Sequence, residues 1–285
     1  MYLREGNVCQ TTGLQFKILA PSAREVPARM RPAVSSSRTG HSDVLYAVQM
    51  LRGQVYQEYA GIAATLLPDG RHCPGQLDAE SWHVVLQNGT RVVGCARYRP
   101  IWKGFHQLIC SESALALSPT TGPIFRSAFE QSFAEARERG IHFGEASAWA
   151  LSPDARCSTA AVNIALMSFA LAEWLGGGLG LTTASTRHHA SLILRRLGGE
   201  PLAGLVPYYE PGFDCTIEML RFDIRNMHSR YAGKLNELRA ELRSTPILCP
   251  AAADVSEESL AMELPAFLSA EESVGYGVAN VGTTH

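Results

Sequence analysis

Residues 82–100, WHVVLQNGTRVVGCARYRP, set the class of fold. Trp82 to Gln87 and Thr90 to Tyr98 read as two strands, and Asn88-Gly89 between them supplies the positive φ angles of a type I′ hairpin turn. Upstream, Val44, Val48, Leu51, Val55 and Tyr59 recur at helical spacing, so 43–60 is predicted as an amphipathic helix with Ser42-Asp43 as its N-cap. A polar loop is expected over 68–80, and an earlier strand over Leu14 to Leu19. Downstream, a third strand is expected within 105–117. A helix then opens at Pro123, buries Phe125, Phe129, Phe133 and Ala136, and closes at Gly140.

Ile141 to Leu151 is predicted as a strand whose odd positions Phe143, Glu145, Ser147 and Trp149 share one face. An apolar helix begins at Ser158 or Thr159 and stops at Gly176-Gly177-Gly178. A strand (179–184), a short helix (189–197, closed by Gly198-Gly199) and strands near 201–207 and 214–222 follow. This order predicts an α/β fold: a mixed central sheet with helices on both faces. Three segments are expected. Residues 1–42 hold a frayed start, the first strand and a mobile connection carrying Pro21, Pro27 and Pro32. Residues 43–225 are the α/β domain. Residues 226–285 comprise a charged surface helix over 226–243 and a tail whose composition predicts disorder over the last ~30 residues.

With 46% hydrophobic and 18% charged residues, the chain has material for a sizeable core. A net charge of -2 gives no basic field of the kind nucleic-acid binding uses. The seven cysteines, Cys9, Cys73, Cys95, Cys110, Cys157, Cys215 and Cys249, form no CxxC and have no histidine pair at zinc spacing, which predicts reduced thiols in the cytoplasm and no metal. Residues 160–175 are the most apolar stretch. They are interrupted by Asn163, Ser168 and Glu173 and fall short of the roughly 20 residues of a membrane span, so they read as a core helix.

The blocks LRGQVYQEYAGI (51–62), LDAESWHVVLQNGTRVVGCARYRP (77–100) and GEASAWALSP (144–153) resemble, in order and spacing, acyl-homoserine-lactone synthases and still more the bacterial N-acyl amino acid synthases. TASTRHHASLILRRLGGEPL (183–202) and VPYYEPGFDCTIEMLRFD (206–223) resemble the later elements of the second group. The resemblance covers roughly 43–223. It implies a GNAT-like fold and a metal-free N-acyltransferase with no permanently bound cofactor. The implied donor is an acyl-phosphopantetheine thioester, commonly on acyl carrier protein, and the acceptor a small amine or amino acid. Arg52, Asp78 and Arg97 match family positions, and Glu145 and Ser147 match the E-x-S of the central strand. The family arginine expected next is Ala148 here. CoA-dependent members of the fold carry a Gly-rich pyrophosphate loop where this chain has RCSTAA (156–161), which favours carrier protein without excluding CoA.

Amide formation from a thioester needs a base for the amine, stabilisation of the oxyanion and a fixed acyl chain. Glu145, between Phe143 and Trp149, is the candidate base, and a structural ion pair with Arg97 or Arg52 is its alternative. Arg52 and Arg97 are candidates for an acceptor carboxylate, or else order the sheet or the preceding loop, and Asp78 is a candidate for the acceptor amine, or else pairs with Arg97. Ser147, Trp149, Arg156, Leu166 and Phe169 are candidates for the acyl-phosphopantetheine arm, although leucines and aromatics mostly serve as core. His188, Tyr208 and Tyr209 are candidate leaving-group acids, and Arg126, Arg137, Arg139 and Arg156 a candidate basic patch for the carrier. A CoA-dependent acetyltransferase and a non-catalytic relative that binds acyl chains or a protein are the rival readings.

Overall fold

The computed structural model describes residues 13–22, 26–36, 38–59, 62, 67–72, 75–156 and 158–250. Expectations for residues 1–12 and for the tail after Pro250 fall outside these. Ten strands among the described residues form one sheet. In chain order they are β1 (Leu14–Leu19), β2 (Val34–Ser36), β3 (Trp82–Asn88), β4 (Arg91–Ile101), β5 (Phe143–Leu151), β6 (Leu179–Ser185), β7 (Glu200–Pro201), β8 (Tyr208–Glu210), β9 (Cys215–Asp223) and β10 (Ile247–Cys249). The helices are α1 (Arg38–Tyr59), α2 (Gln76–Ala79), α3 (Ala114–Leu117), α4 (Thr121–Glu138), α5 (Ala160–Trp174), α6 (Ala190–Arg196) and α7 (Ala232–Ser244).

The spatial order is β2-β10-β1-β3-β4-β5-β6-β9-β7, with β8 also on β9. Strands β1, β3, β4 and β5 are antiparallel neighbours, β5 and β6 are parallel, and β6 and β9 antiparallel. This is a mixed sheet with helices on both faces. The parallel pair is the irregular one. Its pairing runs from Phe143↔Leu179 only to Ala146↔Thr182, yet β5 continues to Leu151 on β4 and β6 to Ser185 on β9. The two strands therefore part at their carboxyl ends, where open α/β sheets bind ligands.

One face is covered by α5, α6 and α7. Ile164, Leu166, Met167 and Leu171 of α5 meet Val84, Val93, Ala96 and Leu220 of the sheet. The opposite face carries two separate apolar clusters. Val48 and Leu51 of α1 pack on Leu19, Val85, Cys95 and Ala150, while Phe125 and Phe129 of α4 pack on Ile101, Phe143 and Leu181. Between these clusters lies a polar strip: Arg97 and Arg99 of β4 opposite Ser147 and Glu145 of β5.

Several expectations change. Helix α1 begins at Arg38 and runs through Ser42-Asp43 instead of starting there. The hairpin loop is Gly89-Thr90, one residue later than the sequence suggests, because Asn88 pairs with Arg91; only Gly89 takes a positive φ, 59°. Residues 105–117 form short turns of helix, not a strand. Of the strand expected over 201–207, only Glu200–Pro201 is extended and paired. The shared face of β5 holds only to Ser147. Ala148 adopts φ 52° in a β-bulge that sets Arg97 opposite Ser147 and Cys95 opposite Ala150, so Trp149 turns to the α5 side. The helix expected to ride on the surface over 226–243 begins at Ala232 and buries Leu235, Leu238 and Leu242.

Candidate functional site

The polar strip becomes a site because α1 and α2 bring side chains onto it. Arg52 leaves α1 beside Leu51 of its apolar stripe and is wholly buried. The single turn of α2 carries Asp78, also buried. Their forks meet: Arg52 Nη1 donates to Asp78 Oδ1 at 2.9 Å and Nη2 to Oδ2 at 2.6 Å. Gln49 Nε2, one helical turn back on α1, donates to Oδ2 at 3.1 Å. From β4, Arg97 donates through Nη1 to Asp78 Oδ1 at 3.2 Å and through Nε to Ser147 Oγ at 3.1 Å. Arg52, Asp78, Arg97 and Ser147 thus come together.

Two guanidiniums face one carboxylate, and the charge is shared unequally. Burial pushes the Asp78 carboxyl up, but the bonds and charge of Arg52 outweigh it and hold the group at about 2. Burial also works against Arg52, yet Asp78 lifts it above its ordinary value. Arg97 moves the other way: burial and the like charge of Arg52 lower it. With two guanidiniums on one carboxylate, Arg52 bonded to it twice and Arg97 once, the cluster carries a net positive charge. His83 stands opposite Arg97 across β3–β4, with Nε2 at 3.3 Å from the Asp78 carbonyl oxygen and 3.9 Å from its carboxylate. That carboxylate favours a charged ring, but burial and Arg52 prevail and lower the imidazole to about 3, so it is neutral. Arg99 is engaged elsewhere, donating to the Gln107 carbonyl at 2.7 Å and to Glu80.

Glu145 is buried one residue pair along the strip. Its carboxylate accepts the backbone N–H groups of Ile109 (2.6 Å, on Oε2) and Cys110 (3.0 Å, on Oε1). Burial raises its pKa, and these donors, with the charge of Arg97, offset only part of that rise. The Cys110 thiol beside it is pushed well up by burial and by the carboxylate.

The candidates for the acyl arm separate. Ser147 lies on the strip. Trp149 packs on the other face, its indole Nε1 buried with no hydrogen-bond partner among the described residues. Leu166 is wholly buried in the main cluster, and the Phe169 ring lies tilted against Phe222 with centroids 5.1 Å apart. Arg156 donates twice to the Leu151 carbonyl and lies 3.5 Å from the centre of the Tyr59 ring. It stands with Arg187, which bonds the Tyr59 carbonyl at 3.2 Å, on the side where β5 and β6 part. Tyr209 is exposed and donates to Asp214 at 2.6 Å, and the Tyr208 hydroxyl is raised by burial. The side chain of His188 lies outside the described residues.

The candidate basic patch is not a free one. Arg139 is paired with Asp223 at 2.9 Å and with Glu135, and Arg126 rests on the Phe105 ring at 4.4 Å. Arg126 also lines an open groove of about 850 Å³ along α3 and α4, which shares no residue with the Asp78 cluster.

Sequence reasoning missed Gln49, Tyr56, His72, His83 and Arg99. Gln49 lies one turn before Arg52 on the same helix, and His83 opposes Arg97 once the hairpin register is drawn, so both were within reach of the pattern. Tyr56 and His72 meet only through the packing of the 67–72 turn. Among the described residues no cluster of His, Cys, Asp and Glu is arranged to hold a metal, and no helix is long and apolar enough to cross a membrane.

The sequence matches no protein-family model and no curated protein. Among solved structures the chain is similar to FeeM, an N-acyl amino acid synthase from uncultured soil microbes, at 14% identity and a TM-score of 0.43, over 74% of this chain and 91% of FeeM. It is similar to BjaI, a CoA-dependent acyl-homoserine lactone synthase seen with SAM and isopentyl-CoA, at 16% identity and a TM-score of 0.49, over 84% of this chain and 95% of BjaI. It is also similar to the AHL synthase LasI, at 13% identity and a TM-score of 0.44, over 74% and 89%.

Proposed function

We propose that this protein is an N-acyltransferase that moves an acyl chain from a phosphopantetheine thioester to the amine of a small acceptor bearing an anionic group. The observation that carries this reading is the pair of buried guanidiniums on the single carboxylate of Asp78, which Arg97 reaches by one bond only. A buried guanidinium lowered by its neighbour is stabilised by an incoming anion, and a planar fork suits a carboxylate. The sequence blocks that resemble N-acyl amino acid synthases include each of these side chains.

In this reading the acyl chain enters where β5 and β6 part, and the acceptor lies over the polar strip. The amine nitrogen attacks the thioester carbonyl carbon, forming the C–N bond. Glu145, whose raised pKa makes it a stronger base than a solvated carboxylate, takes the amine proton directly or through a water. The oxyanion is held by backbone N–H groups of β5 beyond Ala146, where pairing with β6 has ended. The carbonyl then re-forms, the C–S bond breaks, and the leaving sulfur takes up the proton that Glu145 accepted, directly or through a water. Acyl carrier protein is the proposed carrier, because RCSTAA (156–161) lacks the glycines that let a backbone wrap a pyrophosphate.

The test is a mass-spectrometric product screen of acyl carrier proteins and acyl-CoAs, with short to long chains, against pooled amino acids and amines. A Glu145→Gln variant runs alongside. An N-acyl product formed from carrier protein and lost in the variant supports the reading. Product from short acyl-CoA alone moves the protein to the acetyltransferase class. A folded protein that makes no product from any pair is the non-catalytic relative.

A further inference from the structure

The 67–72 turn owes its position to one glycine of α1. A Cβ on Gly53 would stand 1.9 Å from the Gly70 carbonyl oxygen, so only glycine lets the turn lie against the helix. The turn is closed by Gly70 N–H to the Leu67 carbonyl at 2.9 Å, with Asp69 at φ 55° and Gly70 at φ 75°. It is tied to α1 by His72 N–H, which donates to the Gln49 carbonyl at 3.1 Å. Gln49 is also the residue that bonds Asp78. This places the His72 ring edge-on to Tyr56 at 4.7 Å, and Tyr56 meets Phe213 at 5.8 Å.

His72 Nδ1 is buried and has no hydrogen-bond partner among the described residues, and the same is true of Arg52 Nε one turn before Tyr56. Arg71 Nε, next to His72, and Arg99 Nε on the strip are likewise buried and unpartnered among the described residues. Buried polar atoms are almost always satisfied, so orphans gathered at one cluster mark a place where a ligand or water completes the structure. Burial, then the charges of Arg52 and Arg97, lower the His72 imidazole to about 4, so the ring is neutral and keeps a lone pair for a donor.

We propose that His72 is part of the acceptor pocket. Its Nδ1 accepts a hydrogen bond from the acceptor amine while the anionic group of the same molecule sits at Arg97. The inference rests on the transfer reaction proposed above and adds to it the residue that orients the attacking amine. It commits the acceptor to a molecule with an amine and an anion close together.

The test pairs kinetics with direct observation of the ring. His72→Phe keeps the ring packing on Tyr56 and removes the acceptor atom. It is expected to raise the acceptor KM about tenfold or more, with the donor KM and the melting temperature unchanged. His72→Asn, which returns a polar atom near the Nδ1 position, is expected to recover the acceptor KM to within about threefold of wild type. In wild-type protein labelled with ¹⁵N-histidine, the Nδ1 resonance of His72 should move on adding L-amino acids and stay still with their N-acetylated counterparts. Turnover with a motionless resonance and a wild-type His72→Phe overturns the His72 assignment and leaves the transferase reading intact. A moving resonance without turnover does the reverse, and a motionless resonance without turnover removes both.

Discussion

Arg52 and Arg97 contact the same carboxylate but sit on opposite sides of an energetic balance, which makes them separable by substitution. Arg52 holds Asp78 by two bonds and is lifted by it, so Arg52→Met leaves a buried carboxylate with its main partner gone, at a cost of about 3–5 kcal/mol. Arg97 is lowered by burial and by Arg52. Arg97→Met is therefore expected to leave stability in urea unchanged or slightly raised, while the acceptor KM rises about 30- to 100-fold, the worth of one charge-assisted hydrogen-bonded contact of ~2–3 kcal/mol. Equal destabilisation by both variants would show that the carboxylate needs both guanidiniums. The histidines give a pH signature. His83 is lowered from 6.5 to about 3 and His72 from 6.5 to about 4, so below pH 6.5 the unfolded chain takes up protons that the folded chain refuses. Stability is then complete above pH 6.5 and falls toward pH 3, with Asp78 adding its loss only between 3.8 and about 2. His83→Gln, which keeps a donor for the Asp78 carbonyl, should flatten the decline by several kcal/mol in an unfolding series over that range, since each tenfold loss of proton affinity on folding corresponds to about 1.4 kcal/mol. At this scale the sequence named Arg52, Asp78, Arg97 and Ser147, because the blocks that carry the resemblance include them. It did not name His72, whose position depends on a glycine–carbonyl contact that spacing does not encode.

Elements were legible where period and punctuation agreed. Phe125, Phe129, Phe133 and Ala136 gave α4, and Gly140, at φ 64°, its end. Residues 105–117 were misread as a strand because their apolar residues suggest extended core, whereas a buried carboxylate organises them: Glu145 accepts the N–H groups of Ile109 and Cys110. Neutralising that carboxylate leaves one of the two donors facing an amide NH₂. Glu145→Gln should thus raise amide exchange at Ile109 and Cys110 about tenfold or more, the worth of a charged hydrogen bond near ~2 kcal/mol, with little change in β3. If exchange there stays at wild-type rates, the glutamate does not hold the segment, and any loss of turnover in the same variant reports chemistry alone. Gly53→Ala tests the opposite wall of the site. Helix propensity alone favours alanine by about 1 kcal/mol. The 1.9 Å approach to backbone overrides it, and we expect net destabilisation of about 1–3 kcal/mol with loss of acceptor binding. A stabilised variant would show that the turn can lift away at no cost.

The whole molecule closes through its last described strand, which the sequence reading left out. β10 lies between β1 and β2, parallel to both, with Ile18 opposite Ile247 and Ile247 opposite Val34. It follows directly on α7, whose three buried leucines pack with α5, so the end of the described chain is fastened to both the sheet and one covering layer. A three-residue strand carries almost no periodicity, and Pro246 and Pro250 on either side argue locally for a loop. Only the long-range partners make it a strand, and a single sequence does not display those. Ile247, Leu248 and Cys249 are all buried. At about 1.5–3 kcal/mol for a large apolar side chain, the segment is worth roughly 5 kcal/mol, comparable with the stability of an entire domain. A chain ending at Ser244 should therefore unfold at markedly lower urea concentration than one ending at Pro250, since the two differ chiefly by this strand. The shorter chain should also lose protection at the end of β1 and just beyond it, where the Ile18 and Ala20 amides donate to Pro246 and Leu248, while β6 and β9 at the other side of the sheet keep theirs. Equal stability of the two chains would mean that β1 ends the sheet unaided, and the Ile18–Ile247 pairing would then contribute nothing to the fold.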